Sequence, residues 1–221
     1  MPCAGRSARL FENSTESEQR ARGARADEAS APRTLNISPL LPAASIAALL
    51  CIASACFAGT LDLAGKPVDP FASHARAQVL LFVRTDCPIT NRYAPELQRL
   101  AHEFQAQGVR FWMIYPDATE TPASIEKHIK DYNFPGIPLR DPDHELVKRA
   151  HVTIAPEAAV FDAAGNLKYH GRIDDRYVNV GTARREAQTH DLEDAISAVL
   201  AGKPVAHPQT RAVGCWLADI E

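Results

Sequence analysis

A cysteine can serve as a nucleophile, a metal ligand, half of a disulfide or plain packing, and its neighbours decide which. Cys87 is placed to be a nucleophile. The run Val79-Leu80-Leu81-Phe82-Val83 reads as a buried strand, and Thr85-Asp86-Cys87-Pro88-Ile89-Thr90 leads from it into an amphipathic helix starting near Asn91. A thiol at such a turn faces the unpaired N–H groups of the first helical turn and the positive end of the helix dipole. Both favour thiolate over thiol and lower the pKa. Arg84 or Arg92 would add to this, whereas Asp86 would oppose it if its carboxylate pointed at the sulfur. Cys3, Cys51 and Cys56 lie in an N-terminal extension, so Cys87 and Cys215 are the thiols of the remaining chain. They form either a bridge or two separate small hydrophobes, and spacing leaves both readings open.

The eight histidines, His74, His102, His128, His144, His151, His170, His190 and His207, show no Cys-x-x-Cys or His-x-x-x-His spacing. No zinc site is written locally. A soft metal such as copper needs Cys87, Cys215 and His170 to be gathered by the fold. No cofactor motif stands out. Lys+Arg of 24 against Asp+Glu of 27 gives a net charge of −3 without a basic stripe, which speaks against nucleic acid as a partner.

From Asp62 onward the chain has an α/β rhythm. Leu97, Leu100, Ala101 and Phe104 fall at helical spacing, with Gly108 placed to end that helix. Val109 to Tyr115 reads as a second strand. Thr121-Pro122 opens a helix carrying Ile125, Ile129 and Tyr132, and a short helix follows over His144 to Ala150. Ala158 to Phe161 and Leu167 to Ile173 read as strands joined through Asp162-Ala163-Ala164-Gly165-Asn166, a sequence suited to a hairpin turn. Leu192, Ile196, Val199 and Leu200 mark a last helix, ended by Gly202 and Pro204.

The first sixty residues differ in kind. Residues 1–33 are polar and charged with few large apolar groups, a composition of disorder. Thr34 to Leu61 contains no charge, and Leu40 to Ala58 is apolar and small, closing on Ala53-Ser54-Ala55-Cys56. That pattern fits a secretory signal with an Ala-x-Ala cleavage site, whose long leader favours a true start downstream. It also fits a lipoprotein modified at Cys56, or an uncleaved membrane anchor of about 20 residues. Each reading places the folded domain outside the cytoplasm, periplasmic or secreted, where disulfides persist. The expected division is 1–60 as extension, 61–203 as folded domain and 204–221 as a tail carrying Cys215.

Over residues 61 to 217 the chain resembles the thioredoxin-like superfamily, in its redoxin, AhpC/TSA-type peroxiredoxin-like branch. The residues that carry the resemblance are Cys87-Pro88, Pro156-Glu157, Tyr169-His170-Gly171-Arg172-Ile173-Asp174-Asp175 and Gly214-Cys215. It implies a thioredoxin-like fold with a central mixed sheet flanked by helices, and a redox-active thiol centre. It further implies that Pro156 is a cis proline facing Cys87, leaving nearby backbone free to bind an extended thiol substrate. Two departures matter. Thr90 stands where thioredoxins have a second cysteine, so it could donate to a Cys87 thiolate but cannot resolve a mixed disulfide. Cys87 takes the first motif position, not the second used by peroxiredoxins, which argues against peroxide reduction.

The reading that follows is a thiol-disulfide oxidoreductase with Cys87 as nucleophile. Cys215 would be its resolving cysteine or, alternatively, would pin the tail through a structural bridge. Its partners would be a protein or small-molecule thiol or disulfide and a separate reductant, and the N-terminal segment could attach it to a membrane. Glu157 could accept a proton through water. Arg172 and Asp174 read as structural. Two other functions stay open: a copper-binding or copper-delivery module, and a non-catalytic binding domain that has kept the fold.

Overall fold

The computed structural model describes residues 59–217. The disorder, signal, lipoprotein and anchor readings of residues 1–58 lie outside the described residues. Among the described residues, no helix is long and apolar enough to cross a membrane.

The centre is a five-stranded sheet in the order β3-β2-β1-β5-β6. Strand β1 (Ala77–Phe82) lies parallel to β2 (Val109–Tyr115), which lies parallel to β3 (Ile137–Arg140). On its other side β1 pairs antiparallel with β5 (Glu157–Asp162), which pairs antiparallel with β6 (Leu167–Gly171). Every residue of β1 is buried, as expected of a strand covered on both faces. One face packs Val79, Leu81 and Val160 with Leu97, Leu100 and Phe104 of α2 (Ala94–Gln105), Ile125 of α3 (Pro122–Tyr132), and Leu192 and Ile196 of α5 (Asp191–Leu200). The other packs Leu80, Phe82, Ala159 and Phe161 with Leu146 and Val147 of α4 (Glu145–Ala150). This is the α/β arrangement of a mixed sheet between helices that the resemblance implies.

Local differences from the sequence reading have local causes. The first helix begins at Pro88, earlier than expected, as α1 (Pro88–Arg92), and α2 follows after Tyr93. Pro95 carries no N–H, so the helical ladder is interrupted there. Strand β3 was hidden by Pro138, which an edge strand tolerates. The β5–β6 turn is held by Asp162, whose Oδ1 accepts from Ala164 N at 3.0 Å and Asn166 N at 2.9 Å. Two further pairings were not foreseen. One is the hairpin of β7 (Tyr177–Asn179) and β8 (Thr182–Ala183); the other pairs β4 (Ile154–Ala155) with β9 (Cys215–Trp216).

Candidate active site

Cys87 is the N-cap of α1, with Pro88 at the first helical position. Its side chain makes no capping bond, which leaves the sulfur turned inward, and the residue is fully buried. The thiol donates to the Ala155 carbonyl at 3.2 Å. The Ala155–Pro156 peptide is cis, as the resemblance implies for Pro156.

The backbone beside that proline is not free, because the chain's own tail lies on it. The tail first runs along the end of β6. His170 N donates to Pro208 O at 3.0 Å, and Thr210 N donates back to His170 O at 3.2 Å. Thr210 Oγ1 accepts from Arg172 N at 3.1 Å and lies 2.7 Å from the Tyr169 hydroxyl. Gly171 makes this approach possible, since a Cβ there would stand 2.5 Å from the Thr210 carbonyl oxygen. Beyond Thr210 the tail crosses to the active site. There β9 pairs antiparallel with β4, Cys215 opposite Ala155, and Leu217 N donates to Thr153 O at 3.1 Å. This register sets the Cys215 thiol 2.9 Å from the Cys87 sulfur, donating to it. Gly214 is required in turn, because a Cβ on it would lie 2.0 Å from the Ala155 carbonyl oxygen. Much of the Tyr169–Asp175 run thus seats the tail or ties neighbouring elements. Arg172 pairs with Asp191 at 2.8 Å, and Asp174 accepts from the Tyr93 hydroxyl at 2.6 Å, so both serve structure as expected.

The two sulfurs are electrostatically unequal. Burial pushes the Cys87 thiol up, but hydrogen bonds from Cys215 and from the backbone N–H groups of Thr90 and Ile89 outweigh it, leaving its pKa below the ordinary thiol value. Burial and the bond to Cys87 push Cys215 up to about 12. The first proton therefore leaves from Cys87. Thr90 is fully buried, and its hydroxyl has no hydrogen-bond partner in the thiol form.

Arg84 settles the question of Asp86. Its guanidinium grips that carboxylate in a fork, both contacts 3.0 Å, so the negative charge next to Cys87 is paired. The same group donates to the Trp216 carbonyl at 3.0 Å and so latches β9.

Glu157 is not beside Cys87. Its carboxylate accepts from Thr153 N at 3.2 Å and meets His170 Nδ1 at 3.4 Å, and burial raises its pKa. Side-chain alternation along β5 explains the placement: Ala158 and Val160 pack on the Cys87 side, so Glu157 shares the opposite face with Ala159 and Phe161. His170 is held by Glu157 and does not join the two cysteines, so the copper set proposed from sequence is not assembled. Among the described residues, the one cluster with metal-ligand spacing is Glu96, His190 and Glu193, and Arg99 already pairs with both of its carboxylates.

One positioning residue had no signal in the sequence. Glu120 is buried and accepts from Thr85 N at 2.6 Å, bracing the loop that carries Cys87. Its second oxygen has no partner, and burial raises its pKa.

Comparison with known proteins gives the same frame. Residues 56–170, just over half of the chain, match the model of the AhpC/TSA family. A hypothetical protein of Sinorhizobium meliloti has 24% identity and a TM-score of 0.60, covering 71% of this chain and 87% of its own. An uncharacterized conserved protein of Geobacillus kaustophilus has 25% identity and a TM-score of 0.60, covering 72% and 86%. A secreted disulfide oxidoreductase of Mycobacterium tuberculosis, homologous to E. coli DsbE, matches at 22% identity and a TM-score of 0.44, covering 65% and 93%. No curated protein matches the chain.

Proposed function

The chain belongs to the AhpC/TSA family and has its thioredoxin-like fold, and from that premise we propose that it is a thiol-disulfide oxidoreductase acting outside the cytoplasm. The observation that carries this reading is the 2.9 Å approach of Cys215 to a buried Cys87 whose pKa is lowered, fixed by strand pairing. Cys87 is the nucleophile. Its thiolate attacks one sulfur of a substrate disulfide and expels the other as thiolate, leaving a mixed disulfide on Cys87. Cys215 gives up its proton and attacks the Cys87 sulfur, expelling the second half of the substrate as thiolate. The substrate gains two electrons and the Cys87–Cys215 pair loses them. A dithiol reductant resets the pair by the reverse exchange. Thr90 and the first backbone N–H groups of α1 stabilise the thiolate, and Pro156 shapes the edge beside it.

The uncharged apolar stretch ahead of the domain supports an oxidising compartment, and so does the value of such a pair there. In this reading residues 61–203 are the catalytic body and 204–221 the tail that supplies the second thiol. The structural alternative, a permanent bridge, predicts a pair that never cycles. Differential thiol trapping across a glutathione redox series, with mass spectrometry locating each alkylated cysteine, decides between them. The exchange reading expects Cys87 and Cys215 to become reduced together near a physiological potential. It fails if Cys215 is always free, or if the pair stays oxidised throughout the series.

A further inference from the structure

Cys87 is fully buried, roofed by Cys215 and the β9 strand. A substrate sulfur must reach it where β9 now lies, so the tail displays what the edge of β4 accepts. In that display the residue before the cysteine can only be glycine, because a Cβ at Gly214 would lie 2.0 Å from the Ala155 carbonyl oxygen and 2.6 Å from its carbon. These are backbone atoms next to a proline, and they cannot swing aside as a flexible side chain can. The residue after the cysteine is unconstrained, since Trp216 is 73% exposed. The next one is buried, Leu217 being 7% exposed and part of the apolar cluster that includes Ala155 and Val152. Ala212, three positions before the cysteine, is buried and small.

We infer that the β4 edge receives its substrates as extended polypeptide strands of the pattern small-x-Gly-Cys-x-apolar, in the register now held by the chain's own Ala212–Leu217. The inference rests on the exchange reading and adds its substrate class. The tail is a placeholder of the same chemistry: it leaves as a substrate strand enters, and returns with Cys215 to resolve the mixed disulfide. The step balances as before, with the peptide disulfide as electron acceptor. Cys87 takes the peptide sulfur and expels its former partner as thiolate, and Cys215 then frees the peptide thiolate.

The probe is a hexapeptide of sequence Ala-Val-Gly-Cys-Trp-Leu, joined through its cysteine to thionitrobenzoate and mixed with the reduced full chain. Thionitrobenzoate release gives the rate, and mass spectrometry gives the oxidation state of the pair. Alanine in place of the peptide's glycine is expected to slow oxidation of the pair by about tenfold or more, the cost of an overpacked contact. Aspartate in place of leucine is expected to slow it by about tenfold, through lost apolar burial. Alanine in place of tryptophan is expected to change it by no more than about twofold. Equal rates for the glycine and alanine peptides, with the pair oxidised by both, overturn the strand inference and leave the exchange reading standing. If neither the peptides nor glutathione disulfide oxidises the pair, the exchange reading falls and the inference with it. An independent variant tests the steric basis. In Gly214→Ala, with near-ultraviolet circular dichroism showing a folded body, iodoacetamide is expected to alkylate Cys87 several-fold faster; protection equal to the wild type overturns the inference.

Discussion

The two sulfurs are held by opposite kinds of structure. Cys87 sits between a fully buried strand and the first turn of a helix, and its surroundings are backbone N–H groups, a buried threonine and the main core cluster. Cys215 sits in a strand of two residues at the margin of the fold, held by an edge pairing, an arginine latch and one buried leucine. The fold fixes the first, while the second arrives by docking. In the proposed exchange, reactivity is built into a buried turn while resolution is left to a two-residue strand docked at the margin of the fold.

The sharpest test of the contrast removes each sulfur in turn. Cys87→Ser is expected to abolish thiol exchange altogether. Cys215→Ser is expected to keep the first attack and stall as a mixed disulfide on Cys87, seen as a mass increment by mass spectrometry after addition of glutathione disulfide. A Cys215→Ser protein that still turns over repeatedly would break the division of labour. Next in size is the body's own stability. Leu97→Ala empties a fully buried site and is expected to cost about 2–5 kcal/mol in urea unfolding. Arg84→Gln should separate latch from body: it removes the bond to the Trp216 carbonyl, a loss on the order of 1 kcal/mol, and should raise Cys87 alkylation several-fold while the unfolding midpoint barely moves.

The pH dependence carries the comparison into titration. The alkylation profile of Cys87 is expected to have its midpoint below that of an ordinary thiol, as the lowered pKa requires. With the folded pKa below the unfolded one, the unfolded chain holds more protons between the two values, so this group's stabilisation is present above the unfolded thiol pKa. It is lost as pH falls through the folded one. Cys215 does the reverse, stabilising the reduced protein below the ordinary thiol value and losing that contribution as pH rises toward about 12. The smallest effect is expected at the brace. Glu120→Gln keeps an oxygen for Thr85 N while removing a desolvated charge, and should raise stability near neutral pH by roughly 1 kcal/mol. That gain should disappear in acid, where the native carboxyl is already protonated.

What the sequence disclosed follows the same line. The Cys87 turn was legible because strand, turn and helix start are consecutive, and the β5–β6 hairpin because Asp162 and Gly165 carry their own turn chemistry. Pro156 and the Tyr169–Asp175 run were legible only through resemblance, and their tasks emerged with the fold. That the tail carrying Cys215 could return to Cys87 was legible, but the β4–β9 pairing that carries it was not, since two residues show no periodicity and their partner lies sixty positions back. Glu120 was missed, and so was the bond from Arg84 to the Trp216 carbonyl, because each contact joins a side chain to backbone atoms far away in sequence. Which side of the sheet Glu157 takes was not legible, because adjacency to Pro156 says nothing of which face of a strand a side chain occupies.

The tail that Gly171 and Gly214 let lie so close has a thermodynamic side. In the proposed exchange, docking sets the effective concentration of one thiol at the other, and that concentration governs how strongly the pair would hold a disulfide. Each tenfold loss of docking shifts the couple by about 30 mV toward the more easily reduced side. On that proposal, two missing side chains, one in the body and one in the tail, help to set a redox potential.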